Sequence, residues 1–195
     1  MPSYADERLL AWRANSKLIR ARSSQMERDV AKFLIGKRVP YSGAGALKGD
    51  CEVETEKVGK IFIECKYSAH RNEYKGPGIR IDFRWFDKIH RDAGIMRAKF
   101  GALVFKYHGG RFSSYVIIST DVLEKYATRD YLTGAARINA GDKSGISLYK
   151  SMVDAAFVGH LDKHEVAVLE CNRGTYVFMP ISLFKELIHG DADSI

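Results

Sequence analysis

Cysteine is scarce in this chain. Cys51, Cys65 and Cys171 are odd in number and none forms a C-x-x-C pair, which argues against a disulfide framework or a cysteine zinc site and fits a reducing compartment. Long apolar runs are missing too: no stretch approaches the roughly 18 consecutive apolar residues of a membrane span. The opening M-P-S-Y-A-D-E-R has acids where an export signal has an apolar core. The expectation is a cytoplasmic protein with no membrane partner. The G-x-G at Gly43 and Gly45 is not followed by G-K-[ST], so it is no phosphate loop of the NTPase type and reads first as a hinge. No serine or cysteine has a histidine placed as its base in a recognisable pattern. His160 and His164 are four apart, but the glycine and charge around them suit exposed chain better than a helical metal pair. No internal repeat is visible.

What the chain does have is bulk and positive charge. Its 195 residues, 46% hydrophobic, suffice for a full core and suggest one domain with an appendage. Its organisation reads as an N-terminal arm over 1–22, a core over 23–127 and a C-terminal extension over 128–195 packed on that core. Lys and Arg number 31 against 24 Asp and Glu, a net charge of +7; by itself this suits a polyanion or mere solubility about equally. The distribution says more. Acids cluster at Asp50, Glu52, Glu54 and Glu56, while Arg13, Lys17, Arg20, Arg22 and Arg28 precede them and Lys66, Arg71, Lys75, Arg80, Arg84, Lys88 and Arg91 follow. Arg28, Lys48, Arg71, Lys75, Arg80, Arg84 and Lys88 are the candidate phosphate contacts around an acidic focus.

The focus lies in a predicted hairpin. G-D-C-E-V-E-T and K-I-F-I-E-C-K-Y flank the turn E-K-V-G. A turn centred on Lys57 pairs residues antiparallel so that Asp50 faces Glu64, with Lys66 on the same face. Glu52, Glu54 and Glu56 read as the solvated side of a sheet. Glu64 and Lys66 differ, because I-F-I-E-C-K-Y reads as a buried strand in which charge costs several kcal/mol unless paired or metal-bound. A plain Glu64–Lys66 ion pair is the competing reading.

D-(x)13-E-C-K in this setting resembles the PD-(D/E)xK nucleases, and S-G-A-G-A-L-K-G-D before it is similar to the Holliday-junction resolvase branch of archaea and phages. The resemblance covers about Ser23 to Ser119; Gly49 stands where the motif's name has proline. It implies an α/β, restriction-endonuclease-like fold: a mixed central β-sheet flanked by helices, here with an extra C-terminal hairpin and helix. It also implies Mg²⁺- or Mn²⁺-dependent DNA endonuclease activity on branched DNA by a homodimer, in the host cytoplasm if the source is viral. Asp50, Glu64 and the carbonyl of Cys65 would hold the metal, Lys66 would orient the attacking water and Ser42 would contact the scissile phosphate. Glu27 matches the family's first-helix acid, yet Ser24-x-x-Glu27 also fits a capping box at a helix start. A related repair or restriction-type nuclease, or a DNA-binding protein that does not cut, remains the alternative.

Elsewhere the pattern predicts a helix from Ser24 ended by Gly36, a short strand at Lys37–Val39 and a polar loop over 68–82 lying over bound DNA. A helix from Trp85, the strands A-L-V-F-K-Y and S-Y-V-I-I-S and a helix over Thr120–Ala127 follow. Residues 128–150 read as an irregular connection, and a hairpin plus helix closes the chain.

Overall fold

The computed structural model describes residues 4–39, 50–68, 71–72, 76–107, 114–128, 130–153 and 166–190. Helix α1 (Tyr4–Phe33) leads into β1 (Lys37–Arg38); β2 (Cys51–Thr55) and β3 (Gly59–Ser68) form the hairpin. The small strands β4 (Arg71–Asn72) and β5 (Gly76–Asp82) precede α2 (Arg84–Ile95), β6 (Phe100–Tyr107), β7 (Ser114–Ser119) and α3 (Thr120–Tyr126). Strands β8 (Ala136–Gly141), β9 (Gly145–Tyr149), β10 (Ala167–Cys171) and β11 (Gly174–Pro180) come next, and α4 (Ile181–His189) follows β11.

The fold is α/β with a mixed central sheet flanked by helices. Eight strands run in the order β1-β2-β3-β6-β7-β11-β10-β8, and β4-β5-β9 form a second, three-stranded sheet. β3 and β6 are parallel, joined across the sheet face by α2, whereas β2–β3 and β6–β7 are antiparallel. A parallel pair needs such a crossover, and that crossover brings α2 back over β3.

β3 is buried on both faces because its alternation sends one set of side chains to each core. Ile61, Ile63 and Cys65 join Met26, Val30 and Leu34 of α1 and Leu183, Phe184 and Ile188 of α4. Phe62 joins Phe86, Ile89 and Ala93 of α2, with Ile79, Ile81 and Leu148 of the small sheet. The hairpin register is the expected one, with Cys51 opposite Ile63 and Thr55 opposite Gly59. Its turn is closed by the Val58 N–H donating to Thr55 Oγ1 at 3.1 Å, and Gly59 supplies the positive φ of 85° that a side chain would resist.

Three expectations need correction. α1 is one unbroken helix, so Ser24 lies in its interior and cannot cap it. Residues 68–82 are not simply loop, since β5 pairs antiparallel with β9. Residues 128–150 are not irregular, because they contain β8 and β9. The C-terminal hairpin β10–β11 extends the main sheet through β11 paired with β7.

Candidate active site

The site lies at the open end of the β2–β3 hairpin, where β2's ladder runs out and β3 continues. Asp50 occupies the bend just before β2. Its backbone N–H donates to Ile63 O at 3.1 Å and its own carbonyl accepts from Val39 N–H at 3.1 Å. The next donor along β3, the N–H of Cys65, has no β2 residue opposite and donates to Asp50 Oδ2 at 2.7 Å. Continued by one residue, the register would set Asp50 across from Glu64, but Asp50 lies in the bend before the ladder and its carboxylate turns in toward the strand edge. In a strand a residue's C=O points to the same edge as its N–H, so the Cys65 carbonyl points to the edge of β3 that carries Asp50. The Cys65 thiol faces the α1 side. Its hydrogen bond with Cys51, then burial, pushes its pKa well above the usual thiol value, so that side chain offers neither a thiolate ligand nor a nucleophile at neutral pH.

Glu64 is 6% exposed and holds two lysines. Lys66 Nζ lies 2.5 Å from Oε1 and Lys88 Nζ 2.9 Å from Oε2. Lys66 also stands over the Trp85 ring, 5.3 Å from its centroid, which restricts where its ammonium can go. Lys88 Nζ is in addition 3.3 Å from Asp92 Oδ2, one turn along α2. Burial works to lower the Lys88 pKa, but its bonds and charge contacts with Glu64 and Asp92 outweigh that and hold it above the ordinary lysine value.

Glu27 sits in the buried half of α1 and accepts from Arg38 on β1, with Nε 2.8 Å and a terminal nitrogen 2.6 Å from Oε2. That bond, not a helix cap, is its role in the fold. Glu27's backbone carbonyl also accepts the Cys51 thiol at 3.2 Å, fastening α1 to the start of β2.

The electrostatics converge on Asp50. Burial lifts its carboxyl from an ordinary 3.8 to about 6; the Glu64 charge adds to the rise, the Cys65 N–H opposes it, Glu27 raises it a little further and Lys66 lowers it. The fold therefore sets a carboxylate where desolvation and two acids oppose its ionisation, and a nearby cation would relieve all three. Among the described residues no group of three or more His, Cys, Asp or Glu side chains stands ready to hold a metal. The two carboxylates of Asp50 and Glu64 are close enough to interact electrostatically, and the backbone of Cys65 bonds to Asp50. Mg²⁺ is commonly held by one or two carboxylates with water and substrate phosphate filling the remaining positions, and the raised Asp50 pKa marks the place where positive charge is wanted.

The candidate phosphate contacts divide. Arg28 is exposed on α1 and bonded to Gln25 at 2.9 Å, Arg80 is exposed on β5, and Arg84 at the start of α2 pairs with Asp82 at 2.5 Å. Lys88 does not belong with them, because its ammonium turns inward to Glu64 and Asp92. Arg71 lies on β4, its side chain outside the described residues, as are Ser42, Lys48, Lys75, His160 and His164. Arg38 and Asp92 were not anticipated. Asp92 left a signal: it is a charge beside Ile89 and Ala93 on the otherwise apolar inner face of α2. No family model, curated protein or solved structure matches the chain.

Proposed function

We propose that the chain is a Mg²⁺- or Mn²⁺-dependent DNA endonuclease of the PD-(D/E)xK type, with a restriction-endonuclease-like core, that hydrolyses phosphodiester bonds in branched DNA and works as a homodimer. One observation carries the reading. Asp50, half-buried just before β2, and Glu64, buried on β3, lie at one end of the hairpin close enough for the Glu64 charge to raise the Asp50 pKa, with Lys66 beside Glu64, an arrangement that folding alone does not favour.

Asp50, Glu64 and the Cys65 carbonyl would hold the cation, which supplies Lewis-acid stabilisation of phosphate charge and a bound water of lowered pKa. Lys66, which contacts Glu64 and Trp85, would orient the attacking water. Glu27, fixed by Arg38, adds negative potential behind Asp50. The net charge of +7 and the exposed Arg28 and Arg80 on the elements flanking the site suit contact with the phosphate backbone. A twofold dimer supplies the two symmetric cuts that resolve a junction.

A second reading is favoured by the two lysines on Glu64. If that acid is already neutralised, the cluster is a structural ion network in a protein that binds DNA without cutting it. Incubating purified protein with four-way junction, flap, duplex and single-stranded DNA, with and without Mg²⁺, separates the two. The endonuclease reading expects Mg²⁺-dependent cleavage, strongest on the junction, abolished in Asp50→Ala, Glu64→Ala and Lys66→Ala with DNA affinity largely kept, since phosphate contacts elsewhere supply most binding. Binding without cleavage of any substrate in Mg²⁺ or Mn²⁺ supports the structural network instead.

A further inference from the structure

We propose that Lys88 and Asp92 are positioning residues that together make Glu64 switchable: Lys88 occupies Glu64 in the metal-free protein and transfers its bond to Asp92 when a divalent cation takes Glu64. The inference rests on the metal-dependent reading above.

Lys88 Nζ lies between two acids, 2.9 Å from Glu64 Oε2 and 3.3 Å from Asp92 Oδ2. The Glu64 contact is a hydrogen bond. Asp92 is only 7% exposed, and its buried Oδ2 has Lys88 Nζ as an ion-pair partner but lacks a hydrogen bond of good geometry. Its other oxygen is 3.3 Å from Arg91 Nε, which leaves Oδ2 directed at Lys88. A buried carboxylate oxygen held by a 3.3 Å ion pair alone is only partly satisfied, so a closer Lys88 would be better bonded there. The Lys88 ammonium, already 3.3 Å away, needs only small rotations of its own flexible stem to close on it. The helix can stay still, because Phe86, Ile89 and Ala93 anchor α2 in the core on the same turns.

The exchange balances charge in both states. Without metal, Lys88 offsets Glu64 near the half-buried Asp50. With metal, a lysine left on Glu64 would repel the incoming dication, and Asp92 gives it a destination while Lys66 stays at Oε1. Lys88 then weakens cation binding and Asp92 strengthens it, effects of opposite sign that a purely structural network would not produce.

Calorimetric titration of the full chain with MnCl₂ at neutral pH, without DNA, tests this on wild type, Lys88→Met, Asp92→Asn and the double variant. Lys88→Met should bind Mn²⁺ about tenfold tighter and Asp92→Asn about tenfold weaker, ordinary sizes for coupling between neighbouring sites. The double variant should match Lys88→Met, because Asp92 acts only through Lys88. Equal Mn²⁺ affinity across all four proteins, or loss of affinity in both single variants, overturns the exchange. If Lys88→Met fails to fold, Asp92→Asn decides alone: affinity at or above wild type overturns the proposal. A wild type that binds no Mn²⁺ overturns the metal-dependent reading and this inference together, a result distinct from binding that the variants leave unchanged.

Discussion

Asp50 is an acid whose ionisation the fold opposes, and the sign of its effect on stability follows directly. Its pKa in the folded protein is about 6 against an ordinary 3.8, so between those values the folded state binds more protons than the unfolded one. Stability then falls as pH rises through this window, and the loss is complete above it. A shift of this size corresponds to roughly 3 kcal/mol. Asp50→Asn retains an oxygen for the Cys65 N–H but carries no charge. In EDTA it should melt several degrees above wild type at pH 7.5, an advantage that disappears below about pH 4; thermal unfolding across pH checks it. Glu64 and Lys66 were legible in the sequence because charges inside I-F-I-E-C-K-Y break an apolar strand, and Asp50 because a short turn fixes its partner. Arg38 and the inward turn of Lys88 were not. Their partners lie 11 and 24 residues away, and contacts across such distances depend on how α1, β1 and α2 dock, which leaves no local pattern.

Among the elements, α2 sets the site's geometry, and its distance from the sheet is set by a glycine. A Cβ on Gly101 of β6 would lie 2.3 Å from Ile89 Cγ2 and 3.0 Å from the Ile89 backbone oxygen. Gly101→Ala should therefore lift α2 from the sheet, costing about 1–3 kcal/mol and pulling Lys88 away from Glu64. The expected result is a lower melting temperature together with altered Mn²⁺ affinity. Unchanged values for both would mean that α2 does not hold the site. The capping-box pattern at Ser24 misled because it is local, whereas residues 4–23 contain neither glycine nor proline to interrupt the helix. Strand β5 was taken for loop because of its Gly-Pro-Gly start. Its alternation was nonetheless present, with Ile79 and Ile81 buried and Arg80 exposed between them. Strand β8, at the sheet's edge, is too polar to announce itself.

For the whole molecule, the α/β class and most of the sheet could be read in advance, since β3, β6, β7, β10 and β11 are apolar enough to mark a core. The order in which they pair, and the parallel placement of β8 against β10, could not, because ladder partners distant in the chain leave no periodic trace. Both faces of β3 are covered, and this is what makes the acids at its end expensive and a cation effective there. The most direct measurement is the melting temperature of wild type and Asp50→Asn in EDTA and in saturating Mn²⁺ at pH 7.5. A ligand that binds only the folded state stabilises it by about 2.7 kcal/mol at a hundredfold excess over its dissociation constant. Wild type should rise by several degrees and Asp50→Asn by little or nothing. No Mn²⁺ shift in wild type, with Asp50→Asn melting clearly lower in EDTA, would contradict the metal-dependent reading and make the acids at the hairpin's open end a structural ion network.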